Sequence, residues 1–374
     1  MKTRRQFLQF TLSTSTIMAG SGLQLLQAQD KAPQDEGVIW TDAETIPVEG
    51  RGWQDQERLR YYDRLPAKAK ETVREAVWNL SRHSTGMAVR FRTDATTIHV
   101  RYTLYSSSLD MAHMPATGVS GVDLYARDGE GDLRWVSVVR PNAKTMNVKI
   151  AEGLDPGERE FMAYFPLYNG VDKMEIGVPE GAKFEALPAR EKPIVFYGTS
   201  ITHGACASRP GMCHPAILGR RFDRHVMNLG FSGNGRMEME VADLMIELDP
   251  SVFVIDCLPN ITAPTVAENT EPLVRRLREA KPEVPIVLVE DRTYGYSWIK
   301  ADRRERHEGS RAALRQAYDN LVAAGMKKLF YIEGENLLGK DGDATTDGSH
   351  PNDLGFMRQA DVMAPVLKQA LDVA

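Results

Sequence analysis

The sequence predicts an α/β protein in two parts. An antiparallel β-sandwich, jelly-roll-like, occupies residues 36–188, and a three-layer α/β/α domain around a parallel sheet occupies residues 190–374. Three observations carry this. Apolar residues recur with period two through the first part, between polar turns. After about residue 190, short wholly apolar runs alternate with longer helical stretches. The length of 374 residues also exceeds what one compact domain usually holds.

In the first part, Met87-Ala88-Val89-Arg90-Phe91-Arg92 and Thr97-Ile98-His99-Val100-Arg101-Tyr102 alternate as strands with one buried face do. Further short strands are expected at 121–125, 133–138, 147–150, 161–165 and 174–178. Asp128-Gly129, Asp155-Pro156-Gly157 and Asn169-Gly170 supply turns between them. Residues 66–80, rich in Ala, Lys, Glu and Val, predict a short helix.

In the second part, strands are expected at 194–197, 226–229, 252–256, 286–289 and 329–332, and helices near 215–222, 237–247, 271–280, 303–324 and 354–371. These strands are apolar on both faces, as parallel strands covered by helices must be. Ligands of such a sheet bind beyond the carboxyl ends of its strands.

Bulk properties exclude several function classes. With 42% hydrophobic and 26% charged residues the composition is that of an ordinary globular protein, and a net charge of −5 gives no reason to expect nucleic acid as a partner. Three cysteines cannot build a disulfide framework. Cys206 and Cys213 flank a turn-like stretch and are read as ordinary thiols, with a bridge as the alternative. Residues 1–28 read as a twin-arginine export signal: Thr3-Arg4-Arg5-Gln6-Phe7-Leu8, a weakly apolar stretch over 10–26, and a small residue at Ala28. The expected location is therefore periplasmic or secreted. Cleavage after Ala28 removes Lys2, Arg4 and Arg5 and shifts the net charge from −5 to −8. Ser and Thr dilute the apolar stretch too far for a spanning helix, and no other segment is long and apolar enough for a stable membrane span.

Four blocks in the second part carry chemistry. Ser200 follows the first strand, in Gly198-Thr199-Ser200-Ile201-Thr202, where a sharp turn opens a helix and leaves backbone N–H groups free to face an oxyanion. This is not the Gly-x-Ser-x-Gly elbow, because Thr202 stands at the second glycine position. After the second strand, Gly230-Phe231-Ser232-Gly233-Asn234-Gly235 can bring backbone close to a ligand; no Gly-Lys-Ser/Thr follows, so it is not a phosphate loop. After the third strand, Asn260 can aim its amide at the same edge. Finally, Asp347-Gly348-Ser349-His350 lets a carboxylate reach the near nitrogen of the imidazole while the far one points at Ser200. Each block has a plainer reading alone, as a capped turn, a glycine loop or a turn Asn; together they place a nucleophile, a base and oxyanion donors on one sheet edge. A metal reading of Asp-x-x-His finds no partner ligands, and no cofactor is implied. His203 and His214 are read as core or surface residues. Tyr294, Tyr296 and Trp298 follow the fourth strand and are candidates for stacking on a sugar, or for packing on their own domain.

These blocks resemble the SGNH hydrolases, the GDSL-type esterase and lipase superfamily, at Ser200, Gly233, Asn260 and His350. The resemblance covers residue 194 to the end of the chain and implies a flavodoxin-like catalytic domain. It implies Ser200 as nucleophile, His350 as base and Asp347 as its orienting group, with Ser200 N–H, Gly233 N–H and the Asn260 amide as oxyanion hole. Thr199 and Cys257-Leu258-Pro259 depart from the usual blocks and indicate a distinct branch. Gly121-Val122-Asp123-Leu124-Tyr125 resembles the Gly-x-Asp-Leu-Tyr signature of a sandwich found ahead of some SGNH esterases. The implied function is an exported serine esterase acting on a small-molecule or polysaccharide ester, foremost a carbohydrate O-acetylesterase. The alternatives are a longer-chain esterase or lipase, and a non-catalytic carbohydrate-binding protein.

Overall fold

The computed structural model describes residues 36–190 and 192–374; the segment read as an export signal, 1–28, lies outside the described residues. Ten strands make up the amino-terminal part: β1 (Val38–Asp42), β2 (Val48–Glu49), β3 (Ala88–Thr93), β4 (Thr97–Leu104), β5 (Asp123–Arg127), β6 (Leu133–Val138), β7 (Thr145–Glu152), β8 (Arg159–Tyr164), β9 (Val171–Pro179) and β10 (Phe184–Ala186). They form one antiparallel sheet in the order β1-β9-β4-β7 and a second in the order β10-β3-β8-β5-β6, with β2 added to β3. The seven strands expected from period-two patterns are all present. β1, β2 and β10 are short edge strands whose burial contrast is too weak to read; Ile39 in β1, for instance, is 55% exposed.

The second sheet is buried on both faces. Successive side chains of a strand point opposite ways. In β8, Phe161 and Ala163 enter the core between the two sheets, while Met162 and Tyr164 enter a different core shared with the α/β part. Leu124 and Tyr125 of β5 divide in the same way. The two expected parts therefore meet through a continuous apolar layer.

In the α/β part, strands β11 (Ile194–Gly198), β12 (Val226–Gly230), β13 (Val252–Asp256), β14 (Ile286–Val289) and β15 (Leu329–Ile332) pair in parallel in the order β12-β11-β13-β14-β15. This is the flavodoxin-like order, whose switch point lies at the carboxyl end of β11. The sheet's two faces fill two cores: Val195 and Tyr197 point into one, Ile194 and Phe196 into the other. The helices are α1 (Glu75–Leu80) and α2 (Ala116–Val119) in the first part, then α3 (Ser200–His203), α4 (His214–Arg221), α5 (Met239–Met245), α6 (Ala263–Ala280), α7 (Ala301–Ala323) and α8 (Asp353–Asp372).

Two helix expectations are corrected. The helix expected at 271–280 begins at Ala263, because Pro264 sits in the first turn, where its missing N–H costs nothing, and a buried face of Val266, Leu273, Val274 and Leu277 carries the helix through Pro272. The helix expected at 66–80 splits into a 3-10 turn, Ala67–Glu71, and α1, because Arg74 between them is extended. Val73, Val77 and Trp78 from this segment pack against the α/β core rather than the sandwich.

Candidate active site

The turn carrying Ser200 is built by local hydrogen bonding. Thr199 is extended, and its hydroxyl accepts the Ile201 N–H at 3.3 Å, capping α3. Ser200 therefore stands at the first helical position, 5% exposed, and its own N–H donates to no acceptor among the described residues. Its Oγ lies 2.8 Å from His350 Nε2. His350 Nδ1 lies 2.7 Å from Asp347 Oδ2. A carboxylate only accepts, so Nδ1 carries the proton and Nε2 is left to accept from the Ser200 hydroxyl. The backbone N–H groups of Ser349 and His350 both donate to Asp347 Oδ1, at 3.0 and 2.8 Å. Partial burial alone would raise the Asp347 carboxyl; these donors and the imidazole outweigh it and hold the group below its ordinary value.

The loop carrying Gly233 folds onto this turn. The Phe231 N–H donates to Gly198 O at 3.0 Å, and a side chain at Gly235 would stand 1.9 Å from the same oxygen, so only glycine allows the approach. Among the described residues the Gly233 N–H has no acceptor. The Asn260 amide donates one hydrogen to Asn234 O, beside Gly233, and keeps a second donor. The structure thus brings Ser200, His350 and Asp347 into one hydrogen-bonded row and ties Asn260 to the Gly233 loop.

The aromatic candidates occupy unequal places. Tyr294 is 4% exposed and gives its hydroxyl to Asp291 at 2.7 Å. The Tyr296 ring lies against Gly348, and the Gly295 N–H donates to Gly348 O at 2.8 Å, so this segment braces the loop bearing Asp347 and His350. Trp298 is 78% exposed, on the rim of a groove of about 320 Å³ between residues 293–298 and 335–345. His203 and His214 are both core residues. All three cysteines are buried free thiols.

Sequence reasoning missed the supports beneath the site. Asp256, at the end of β13, accepts both Nη groups of Arg292 at 2.6 Å and the Thr202 hydroxyl at 3.0 Å, all fully buried. Burial would raise Asp256; the Arg292 charge and the His214 contact overcome this and bring it down to about 2. From the amino-terminal part, Tyr168 donates to Ser200 O at 3.3 Å, and the buried Arg64 donates to Asn228 O and Gly230 O at 2.7 and 2.8 Å. Asp123 of the Gly-x-Asp-Leu-Tyr stretch accepts the Gly211 N–H at 2.8 Å and Arg209 at 3.0 Å. Next to that loop, the Ser208 N–H donates to Asp353, three residues after His350, at 2.9 Å. No single-sequence signal announces such partners; only the position of Asp256 at a strand end hinted at one. Three carboxylates, Asp128, Glu130 and Asp132, lie near enough to share a cation, but they sit in the β5–β6 turn, where Asp128 already accepts two backbone N–H groups and Arg134.

Comparison with known proteins agrees with this architecture. Residues 191–368 match the GDSL-like lipase/acylhydrolase family, and residues 38–184 match the GxDLY family, the amino-terminal domain of SGNH-type esterases. The two matches, in this order, are those of the branch of SGNH hydrolases that carries both domains. Among solved structures, a protein described as a GDSL-like lipase from Bacteroides ovatus shares 29% identity at a TM-score of 0.84, over 90% of this chain and 99% of its own. The salicylyl-acyltransferase of a tetracycline biosynthetic pathway shares the fold at 17% identity and a TM-score of 0.72, over 90% of this chain and 98% of its own. An acetyl xylan esterase from the rumen bacterium Butyrivibrio proteoclasticus shares it at 12% identity and 0.54, over 90% and 99%. No curated protein matches the chain.

Proposed function

We propose that this chain is an exported serine esterase that releases acetyl groups from carbohydrates through an acyl-enzyme on Ser200. The observation that carries the reading is the row from Ser200 Oγ through His350 to Asp347, with successive contacts of 2.8 and 2.7 Å. In acylation, Ser200 Oγ bonds to the ester carbonyl carbon while its proton passes to His350 Nε2. The carbonyl oxygen becomes an oxyanion, received by the N–H groups of Ser200 and Gly233 and the amide of Asn260. Collapse breaks the bond to the alcohol oxygen, which takes the proton from His350 and leaves. Water repeats the sequence, with His350 as base, and acetate departs. The fold shared with an acetyl xylan esterase and the exposed Trp298 beside a groove support a carbohydrate substrate. Residues 1–28 support export.

The test is hydrolysis of p-nitrophenyl esters by the unmodified protein and two variants. Ser200→Ala abolishes turnover without loss of fold. Asn260→Ala slows it by about a hundredfold or more, the usual effect of losing one oxyanion donor. Unimpaired turnover by Asn260→Ala refutes its role. A preference for long acyl chains over acetate, with no acetate released from a panel of acetylated glycans, replaces the carbohydrate reading with the lipase one.

A further inference from the structure

The amino-terminal part places a second imidazole beside His350. Between β4 and α2, Met111 and Met114 exchange two backbone hydrogen bonds of 3.0 Å, closing a tight turn with Ala112 and His113 at its tip. Met114 anchors that turn: it is 2% exposed and lies in the apolar cluster that contains Ile201, the neighbour of Ser200. The tip itself remains in solvent, with Met111, Ala112 and His113 all exposed. The His113 ring centroid is 6.4 Å from that of His350, the planes inclined at 36°. No hydrogen bond ties either nitrogen of His113 to another group among the described residues.

The chemistry of acylation says what stands at this place. The proton that leaves Ser200 is delivered by His350 to the departing alcohol, so the alcohol must lie against His350. Both ring nitrogens of His350 are committed, one to Ser200 and one to Asp347. A second group at its flank thus meets the alcohol and not the relay. An imidazole offers one donor and one acceptor, a pair suited to hydroxyl groups. We propose that His113 belongs to the subsite for the alcohol portion of the ester, where it hydrogen-bonds a hydroxyl of a polyhydroxylated leaving group such as a sugar ring. The sandwich then contributes a substrate contact as well as support. This rests on the reading of Ser200 as an esterase nucleophile.

The experiment compares two acetate esters that differ only in the alcohol: acetylated xylo-oligosaccharides and p-nitrophenyl acetate. Nitrophenolate has no hydroxyl for His113 to hold and leaves readily. In His113→Ala, the ratio of kcat/KM for the sugar ester to that for the aryl ester falls about tenfold, the effect of one lost hydrogen bond to substrate. His113→Gln, which keeps a donor and an acceptor, restores most of that ratio. A ratio unmoved by His113→Ala overturns the proposal, as does turnover of the aryl ester with none of the sugar ester by the unmodified protein. Failure of the unmodified protein to cleave either ester overturns the esterase reading itself.

Discussion

Arg74 Nη1 lies 2.8 Å from Asn234 Oδ1, so a side chain from the segment between β2 and β3 grips the residue that follows Gly233. The same guanidinium pairs with Glu238, at the other end of that loop. The oxyanion-hole candidate is thus held from outside the α/β part. Arg74→Ala should lower kcat for p-nitrophenyl acetate by about tenfold with little change in KM, because a loosened donor is lost mainly in the transition state. Arg74→Lys keeps the charge but not the two-armed reach, and should fall between. Steady-state kinetics beside a melting curve separates this from general destabilisation: a fall in kcat with an unchanged melting temperature is the expected pair.

Gly348 has φ of +89°, and a Cβ there would lie 1.7 Å from Tyr296 Cδ1. Gly348→Ala must therefore move either the ring or the loop carrying Asp347 and His350. A displacement of about 1 Å at a catalytic group can cost about a hundredfold in rate. That loss is the expected outcome, with far-ultraviolet circular dichroism unchanged because the loop lies outside the sheets. Adding Tyr296→Ala should recover part of the activity, since it removes the clash but leaves the backbone strain. No recovery would place the whole effect in the backbone.

The contrast between these supports and the row above them shows what a single sequence discloses. Ser200, Gly233 and Asn260 were legible because each follows a strand, and Asp347-His350 because its spacing and its place after them are informative. The strands were legible because burial on one face or two leaves a clear apolar rhythm, as in β8 and β11. Arg64, Arg74, Tyr168 and His113 were not legible. Arg64 and Arg74 act across more than a hundred residues of chain, His113 lies beside a ring as distant, and Tyr168 reaches Ser200 from another part of the chain; a lone arginine or tyrosine in a polar stretch carries no period. Arg292 stayed hidden for a related reason: its counter-charge, Asp256, ends another strand. The aromatic run at 294–298 was read as stacking on a sugar or packing on its own domain, and its members divide among core, brace and rim.

The Asp256–Arg292 pair carries a stability prediction. Both side chains are fully buried, and Arg292 also donates to Gln359 of α8. Asp256→Asn would strip the buried guanidinium of the carboxylate that both its Nη groups bond, which costs about 3–5 kcal/mol. Thr202→Val removes one hydrogen bond to the same carboxylate and should cost only about 1 kcal/mol. Urea denaturation of the two variants checks the order. Equal losses would mean that Arg292 finds another partner when Asp256 is neutral.

Acid sensitivity follows from the imidazoles behind Ser200. Burial, with the nearby charges of Arg64 and Arg60, lowers His83 from 6.5 to about 3, and burial beside Arg64 and His83 lowers His203 well below its ordinary value. Both rings are neutral in the folded chain, whereas in the unfolded chain they take up protons near their ordinary value of 6.5. Between that value and about 3 the unfolded state binds more protons, so stability is fully present above about 6.5 and declines as pH falls. Each such group contributes at most about 1.4 kcal/mol per pH unit. His214 and His225 are lowered by burial in the same way, so the share of His83 is read by difference between the variant and the unmodified protein. His83→Gln should flatten the dependence of unfolding free energy on pH in that interval by the equivalent of up to one proton. A variant whose slope matches that of the unmodified protein would show that His83 already takes up its proton in the folded chain.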